Sequence, residues 1–285
     1  MEYSRLTVRG DSTEARTLRF FKPNLSLDWK PGGKWHAQLS ARRTVAQLEF
    51  FEFLSSAELN SNVVNGGNSD LVPQRSWEFR ASADHPLLGD GLVRIQLGLN
   101  RISALQDRIL TDQGFDAPGN IGIGRQRFAE LTVDTPLDRL GLKAARLKAS
   151  GKLQHTRVDD PIDGRPRDFS GDFPNWSYRV EYRQDLGRFS YAFNVQRADE
   201  TTVFRTDEFN SIRRDGPFGN AFVEYRPSAR TTLTVGANNL FDVSFTRTRL
   251  LFEPDRTDPV PDRREVKVRD AHVQLWMTLK RRFGR

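Results

Sequence analysis

The chain has 285 residues, 37% of them hydrophobic, no cysteine, a mean hydropathy of -0.62 and a formal net charge of +7. No run of about eighteen apolar residues occurs, which excludes an α-helical membrane span. It does not exclude a transmembrane β-barrel, in which only every second strand residue has to be apolar. The basic residues do not cluster in an arm or on one helix face, so we expect no nucleic acid as a partner.

Alternation of apolar and polar residues begins near the N-terminus and predicts β-strands with one apolar face and one polar face. A short strand around Leu6 and Val8 comes first. A hairpin follows, with strands near 25–29 and 35–41 on either side of a Pro-Gly-Gly turn. A long segment rich in Asn, Ser and Gly then runs from 47 to 74, and its apolar residues 50–54 are expected to pack within a loop.

The same alternation continues to the C-terminus. Further strands are predicted near 77–83, 93–99, 129–133, 147–153, 176–182, 189–195, 221–225, 233–237 and 273–279. This gives about twelve strands, joined by connections that are alternately short and long. The parity of the apolar residues shifts at 269–271, which predicts a β-bulge. Short turns on one side and long loops on the other are typical of outer-membrane barrels. The predicted fold class is therefore all-β, an antiparallel transmembrane β-barrel.

Tryptophans stand near both ends of the predicted strands. Trp29 and Trp35 flank the first tight turn, and Trp77 and Trp176 lie at the loop ends of their strands. All four share the apolar parity, which suits aromatic girdles at the two membrane interfaces. The alternative is that they pack the core of a soluble sandwich. Trp276 has the polar parity, and we expect it to face the lumen.

Three segments resemble TonB-dependent outer-membrane receptors. The segment 235–242, VGANNLFD, resembles the signature of the penultimate barrel strand. Its family motif consists of Asn238, Asn239, Leu240, Phe241 and Asp242. The segment 67–78, GNSDLVPQRSWE, resembles the family's GNPDLKPE stretch before a down-going strand. The end of the chain, 279–283, resembles the closing strand, although two residues follow its final aromatic.

The resemblance implies a barrel of about twenty-two strands with a plug inside it. It covers nearly all of this chain but only the C-terminal half of such a receptor. Residues 1–285 are therefore expected to form the C-terminal portion of the barrel, with the plug domain, the N-terminal barrel strands and a signal peptide absent from this sequence. The resemblance also implies the cell outer membrane of a Gram-negative bacterium, contact with its lipid, and an inner-membrane TonB complex as energising partner. The imported small molecule would be a ferric siderophore, haem, cobalamin or a carbohydrate.

Polar-parity residues of the central strands are expected to line the ligand path. These residues are Arg94, Gln96, Asn100, Arg146, Lys148, Arg179 and Trp276. Their basic character suits an anionic ligand. The alternative is that they pair with acidic residues of neighbouring strands. Those acidic residues are Glu78, Glu130, Asp134, Glu181 and Glu224.

No catalytic or metal-binding pattern stands out. The four histidines are too dispersed for a metal site, and no G-x-S-x-G motif occurs. Asp159, Asp160 and Asp163 lack the ligand spacing of a calcium loop. We therefore expect a receptor without enzymatic activity, cofactor or resident metal. The alternative function is a self-contained outer-membrane barrel that acts as a passive pore or a phospholipase-like enzyme, and a soluble β-sandwich is the third possibility.

Overall fold

A computed structural model describes residues 2–9, 13–30, 32–48, 56–58, 63–65, 67–68, 70–112 and 114–283. The apolar residues 50–54 lie outside this part of the chain. The described residues form strands and a single 3-10 turn, Asp138–Leu140. The strands are β1 (Glu2–Arg9), β2 (Thr13–Phe20), β3 (Asn24–Trp29), β4 (His36–Val45), β5 (Ser56–Glu58), β6 (Val63–Asn65), β7 (Arg75–Leu87), β8 (Gly91–Ser103), β9 (Gln106–Leu110), β10 (Asp116–Asn120), β11 (Ile123–Pro136), β12 (Ala145–Asp159), β13 (Pro166–Arg167), β14 (Trp176–Leu186), β15 (Phe189–Ala198), β16 (Thr201–Phe204), β17 (Glu208–Arg214), β18 (Phe218–Ser228), β19 (Thr231–Asn238), β20 (Phe245–Leu251), β21 (Arg263–Arg269) and β22 (Gln274–Arg281).

One twelve-stranded antiparallel sheet dominates the molecule and is called the main sheet below. Its strand order is β3-β4-β7-β8-β11-β12-β14-β15-β18-β19-β22, with the short β13 paired to the end of β12. Every strand on this path pairs with the next one along it, as in a barrel wall built from successive hairpins. In the described part of the chain β3 and β22 do not pair with each other, so the sheet is open at both edges. This architecture confirms the prediction of an all-β, antiparallel barrel fold.

Short and long connections alternate along the main sheet, as predicted. The tight connections are 30–35, 88–90, 137–144, 187–188 and 229–230. The long ones, at the opposite end of the strands, are not simple loops. They carry two additional four-stranded sheets, in the orders β5-β6-β10-β9 and β16-β17-β20-β21.

Two predictions about strand placement were wrong. The strand around Leu6 belongs to β1, whose partner in the described part of the chain is β2, and the two form a separate two-stranded sheet. The shift of parity at 269–271 is not a bulge in one strand, because β21 pairs with β20 in an outer sheet whereas β22 pairs with β19 in the main sheet. The chain changes sheets between them, at a backbone that includes His272 with a φ of 40°.

The two faces of the main sheet differ sharply in chemistry. Large apolar side chains on one face are open to the surroundings, and Leu97, Leu275 and Met277 are 54%, 80% and 70% exposed. Trp29, Trp35 and Trp77 lie on this same face near the strand ends and are also exposed. A small core of buried apolar residues, Leu105, Val158 and Phe169, lies instead under the long connections. An exposed apolar surface of this size is typical of the lipid-facing side of a membrane barrel and is rare in soluble proteins.

In the described part of the chain, no helix is long and apolar enough to cross a bilayer.

Buried ion pairs hold the long connections to one another. Asp160 accepts hydrogen bonds from Arg167 at 2.6 Å and from Arg256 at 3.0 Å, and a second Arg256 nitrogen lies 2.9 Å from the same carboxylate. Asp160 and Arg167 lie in the connection between β12 and β14, whereas Arg256 lies in the connection between β19 and β22. Arg167 also reaches Asp107 at 2.9 Å. The Arg256 and Asp160 side chains are each only 2% exposed. These four residues are called the outer-loop cluster. The cluster fixes three connections as one packed unit.

The outer-loop cluster is expected to weaken in acid. Burial alone would raise the pKa of Asp160, but hydrogen bonds and the positive charges of Arg256 and Arg167 hold this pKa below its ordinary value of 3.8. A lowered pKa contributes stability that is complete above the ordinary value and is lost as the pH falls through the native one. Hydrogen-exchange protection factors of residues 160–167 should therefore be constant from pH 8 to 5 and decrease below about pH 4. Protection that decreases as the pH rises from 5 to 8 would contradict this prediction.

Candidate functional site

A groove of about 580 Å³ runs across the polar face of the main sheet, from β12 to β22. The cross-strand register creates it, because polar-parity residues of neighbouring strands lie directly opposite one another. One row consists of Lys148, Glu181, Asn194, Asn220, Asn238 and Gln274. The next row consists of Arg146, Arg183, Ala192, Phe222, Gly236 and Trp276. These rows, with Arg179, are called the polar-face groove.

The structure brings four of the predicted path residues together in the polar-face groove. They are Arg146, Lys148, Arg179 and Trp276, and Asn238 of the family motif joins them. The other three, Arg94, Gln96 and Asn100, lie on β8, away from the groove. Arg94 is held by Asp84 of β7 through two hydrogen bonds of 2.6 and 2.8 Å. Gln96 lies opposite Ser82 and Glu130 in the register.

Asn100 belongs to a second polar array on the same face. Its carboxamide oxygen accepts a hydrogen bond from Arg80 at 2.6 Å, and its nitrogen donates to Gln126 at 2.6 Å. Gln126 in turn donates to Gln154 at 3.0 Å, and Gln154 donates to the carbonyl of Pro174 at 2.6 Å. This chain of amides is internally satisfied and ties the barrel wall to an outer connection.

The cations of the polar-face groove carry acidic partners, as the alternative interpretation expected. Arg146 bonds Asp134 at 2.5 Å, and Lys148 shares the same carboxylate at 3.8 Å. Arg179 pairs with Glu181 of its own strand. All of these cations remain about half exposed. Ion pairs so open to water contribute roughly 0–1 kcal/mol, so an anion can take over the cations at little cost.

Sequence reasoning missed the amide centre of the groove. Asn220 donates a hydrogen bond to Asn194 at 3.3 Å, and both lie between the basic side and Trp276. Arg183, which bonds Asp185 at 3.0 Å, was also missed. Their polar parity in the middle of predicted strands was the available signal. Which polar-parity residues share a groove depends on the register between strands, and the sequence does not state that register.

The placement of Trp276 depends on a glycine opposite it. A Cβ atom on Gly236 would lie 2.4 Å from Cζ2 of Trp276 and 2.9 Å from the carbonyl oxygen of Ala221. The indole therefore packs directly against the backbone of β19 at Gly236. This contact sets the end wall of the polar-face groove.

Replacing Gly236 with Ala should displace the Trp276 indole and destabilise the fold by about 1–3 kcal/mol, as other overpacked sites are. The control is Gly151→Ala, because a Cβ at Gly151 would meet no atom nearer than 4.0 Å. The fluorescence of Trp276 is obtained by subtracting the signal of a Trp276→Phe variant. Acrylamide should quench this fluorescence more strongly in Gly236→Ala than in wild type, and Gly151→Ala should behave as wild type does. Equal quenching in the two glycine variants would remove the proposed role of Gly236.

The family motif 238–242 builds the exit of β19. Asn239 is buried, with a φ of 54°, and its side chain donates to the carbonyls of Val243 at 3.1 Å and His272 at 3.4 Å. Its carboxamide oxygen accepts from the Val243 amide at 2.9 Å. Phe241 covers Gly219, where an added Cβ would lie 2.6 Å from its ring. The motif thus shapes the strand end and the start of β22.

The second resembling segment, 67–78, also has a structural role. Leu71 is only 1% exposed, and the neighbouring Val72 exchanges two hydrogen bonds of 2.9 Å with the side chain of Asn120. Asn68 donates to the carbonyl of Pro118 at 2.9 Å. These contacts anchor the start of β7 to the sheet formed by β9 and β10.

Among the described residues, no group of three or more His, Cys, Asp or Glu side chains could hold a metal ion.

Comparisons with known proteins agree with this architecture. The family model described as TonB dependent receptor-like, beta-barrel, matches residues 2–240. No curated protein sequence matches the chain significantly. Similar solved structures include the copper transporter OprC, with a TM-score of 0.64 and 12% identity over 98% of this chain and 44% of that one. The siderophore receptor PirA from Acinetobacter baumannii has a TM-score of 0.59 and 10% identity over 94% and 41%. The FrpB iron transporter from Neisseria meningitidis has a TM-score of 0.55 and 10% identity over 93% and 40%.

The chain spans about two fifths of the length of these structures. At such low identity the likeness to them shows the fold alone. The family match covers most of the chain, and the main sheet has the hairpin order and the opposed faces of such a barrel. The chain therefore belongs to the TonB-dependent receptor family and carries strands of its β-barrel.

Proposed function

We propose that residues 1–285 form the C-terminal portion of the barrel of an outer-membrane receptor that imports a scarce small molecule. In the complete machine, the long connections capture the ligand outside the cell and the polar-face groove lies along its path. A plug domain closes the lumen until the inner-membrane TonB complex displaces it. The membrane is the outer membrane of a Gram-negative bacterium.

The two open edges of the main sheet support the larger barrel. β3 and β22 each have a neighbour on one side only among the described residues. Unpaired strand edges are unstable in lipid, because each free backbone group costs several kcal/mol there. The remaining barrel strands would pair with β3 and β22 and remove both edges. The remaining barrel strands are therefore the partner that this chain requires.

The polar-face groove carries the proposal for the ligand. It combines weakly held cations, an amide pair and a flat aromatic surface, which together suit an anionic ligand with planar groups. Ferric siderophores have this chemistry and are the first choice; haem, cobalamin and carbohydrates are the alternatives. PirA is a siderophore receptor by name and PfeA is a ferric enterobactin receptor by name, which agrees with this choice.

The test is uptake by whole cells that express the full-length receptor as their only such transporter. Accumulation of a ⁵⁵Fe-labelled catecholate chelate should depend on the receptor and stop when a protonophore collapses the proton gradient. The double variant Arg179→Gln/Arg183→Gln should reduce uptake severalfold. The control Arg226→Gln removes an exposed cation of the same face outside the groove. Uptake that persists without the gradient would contradict energised transport and favour a passive pore. Equal uptake by the groove variant and the control would show that the groove does not lie on the path of the ligand.

A further inference from the structure

Five basic side chains form an unneutralised patch on the apolar face of the main sheet. Arg101 lies on β8, Arg125 and Arg127 lie on β11, and His155 and Arg157 lie on β12. Each has the parity of the exposed leucines of its own strand, and each is exposed. None of the five makes a hydrogen bond or ion pair with another described residue. The acidic residue next on this parity, Asp159, forms no ion pair with Arg157. The five basic residues are called the basic patch.

The register makes this arrangement costly in the protein alone. Arg101 lies directly opposite Arg125, and Arg125 lies directly opposite Arg157. Like charges facing each other on adjacent strands destabilise a sheet. The arginines of the polar face, in contrast, are held by carboxylates, as Arg94 is by Asp84. Neutralising the basic patch therefore requires an anion that is not part of the chain.

An apolar groove of about 930 Å³ adjoins the patch on the same face. Leu97, Leu99, Phe79 and Leu153 form its sides, and the small side chains of Ala81 and Ala129 leave room along its floor. Phe79 and Leu99 line both this groove and the space enclosed by the basic patch. A molecule with an anionic head and apolar chains would therefore find both surfaces in one continuous site.

The height of the patch matches the boundary of the membrane. Arg101 lies ten residues beyond Gly91, which begins β8 at its tight turn. At about 3.3 Å per residue and a tilt of about 40°, the patch is on the order of 25 Å above the turns. The apolar band of an outer-membrane barrel is about 25 Å tall. The guanidinium groups thus reach the headgroup level on the side of the long connections.

We propose that the basic patch and the adjoining apolar groove bind one outer-leaflet lipid that carries at least two phosphate groups. The phosphates lie among the arginines, where charge-assisted and bidentate hydrogen bonds favour them. The acyl chains lie along Leu97, Leu99 and Leu153. The inference rests on the outer-membrane location proposed above, and its test uses detergent-purified protein, so failure of either proposal can be told from failure of the other.

Lipid binding is measured on the full-length receptor purified from outer membranes in mild detergent and then stripped of lipid. The probe is a bis-phosphorylated, multiply acylated glucosamine disaccharide lipid in mixed micelles, and bound lipid is counted by native mass spectrometry. The variant Arg101→Gln/Arg125→Gln/Arg157→Gln should bind on the order of 100-fold more weakly, because each basic residue near an anionic lipid surface is worth about fivefold. Arg125→Gln alone, which is used if the triple variant does not fold, should bind about fivefold more weakly.

The control variant Arg264→Gln/Lys267→Gln/Arg269→Gln removes three exposed charges from β21, in an outer sheet away from the patch. It should bind the lipid as wild type does. The proposal is overturned if the patch variant binds as tightly as this control. It is also overturned if the same lipid without phosphates binds equally well, or if millimolar inorganic phosphate displaces the lipid, since the site would then serve free phosphate.

Discussion

Replacing Asp160 with Asn should open the outer-loop cluster at a cost of about 3–5 kcal/mol, because the loss of one partner from a buried ion pair leaves the other charge uncompensated. Arg256 would keep its hydrogen bond to the carbonyl of Arg205 but would have no carboxylate. Arg167 would keep its hydrogen bond to the carbonyl of Asp168, and Asp107 would be its remaining carboxylate among the described residues. Hydrogen exchange should show the effect locally, as lost protection in residues 160–167 and 251–256.

The matched control for this prediction is Asp163→Asn. Asp163 is exposed, and its carboxylate accepts one hydrogen bond, from the backbone amide of Arg165 at 2.9 Å. This substitution removes the same charge from the same connection and should change protection by less than about 1 kcal/mol. If the two variants behaved alike, the outer-loop cluster would not be what holds the three connections together.

Replacing Leu97 with Arg should destabilise the barrel by about 2–4 kcal/mol, the cost of a basic residue near the bilayer midplane. Leu97 is 54% exposed on the apolar face, in the middle of β8. The neighbouring substitution Gln96→Arg adds the same charge on the polar face and should cost far less. The free energy of folding into lipid vesicles, measured by urea titration, compares the two variants. Equal destabilisation would mean that the two faces are not separated by lipid and lumen.

The alternation of side chains made the barrel wall predictable. Along β8 each apolar residue from Val93 to Leu99 is followed by a polar residue or a glycine, so the strand and its two faces follow from the sequence. Tight turns such as 187–188 then gave the hairpin order. The local pattern and the global fold agree here, which is why the prediction was accurate.

The outer sheets could not be predicted in the same way. β20 and β21 are short and charged, and Val266 and Val268 show the same alternation as a barrel strand. Only their pairing with each other assigns them to a separate sheet. The outer-loop cluster joins residues as distant as Asp160 and Arg256, and no local pattern marks such a contact. For the same reason the basic patch becomes visible only when the register places Arg101, Arg125 and Arg157 in one row.

Single cysteines along β8 test the central claim that this sheet is a barrel wall between lipid and a polar lumen. The chain contains no cysteine, so each new thiol can carry a single spin label. In intact outer membranes, labels at 95, 97 and 99 should be accessible to oxygen and shielded from a water-soluble nickel chelate. Labels at 94, 96 and 100 should show the reverse. Uniform access of the nickel chelate to both sets, or an inverted alternation, would contradict the account.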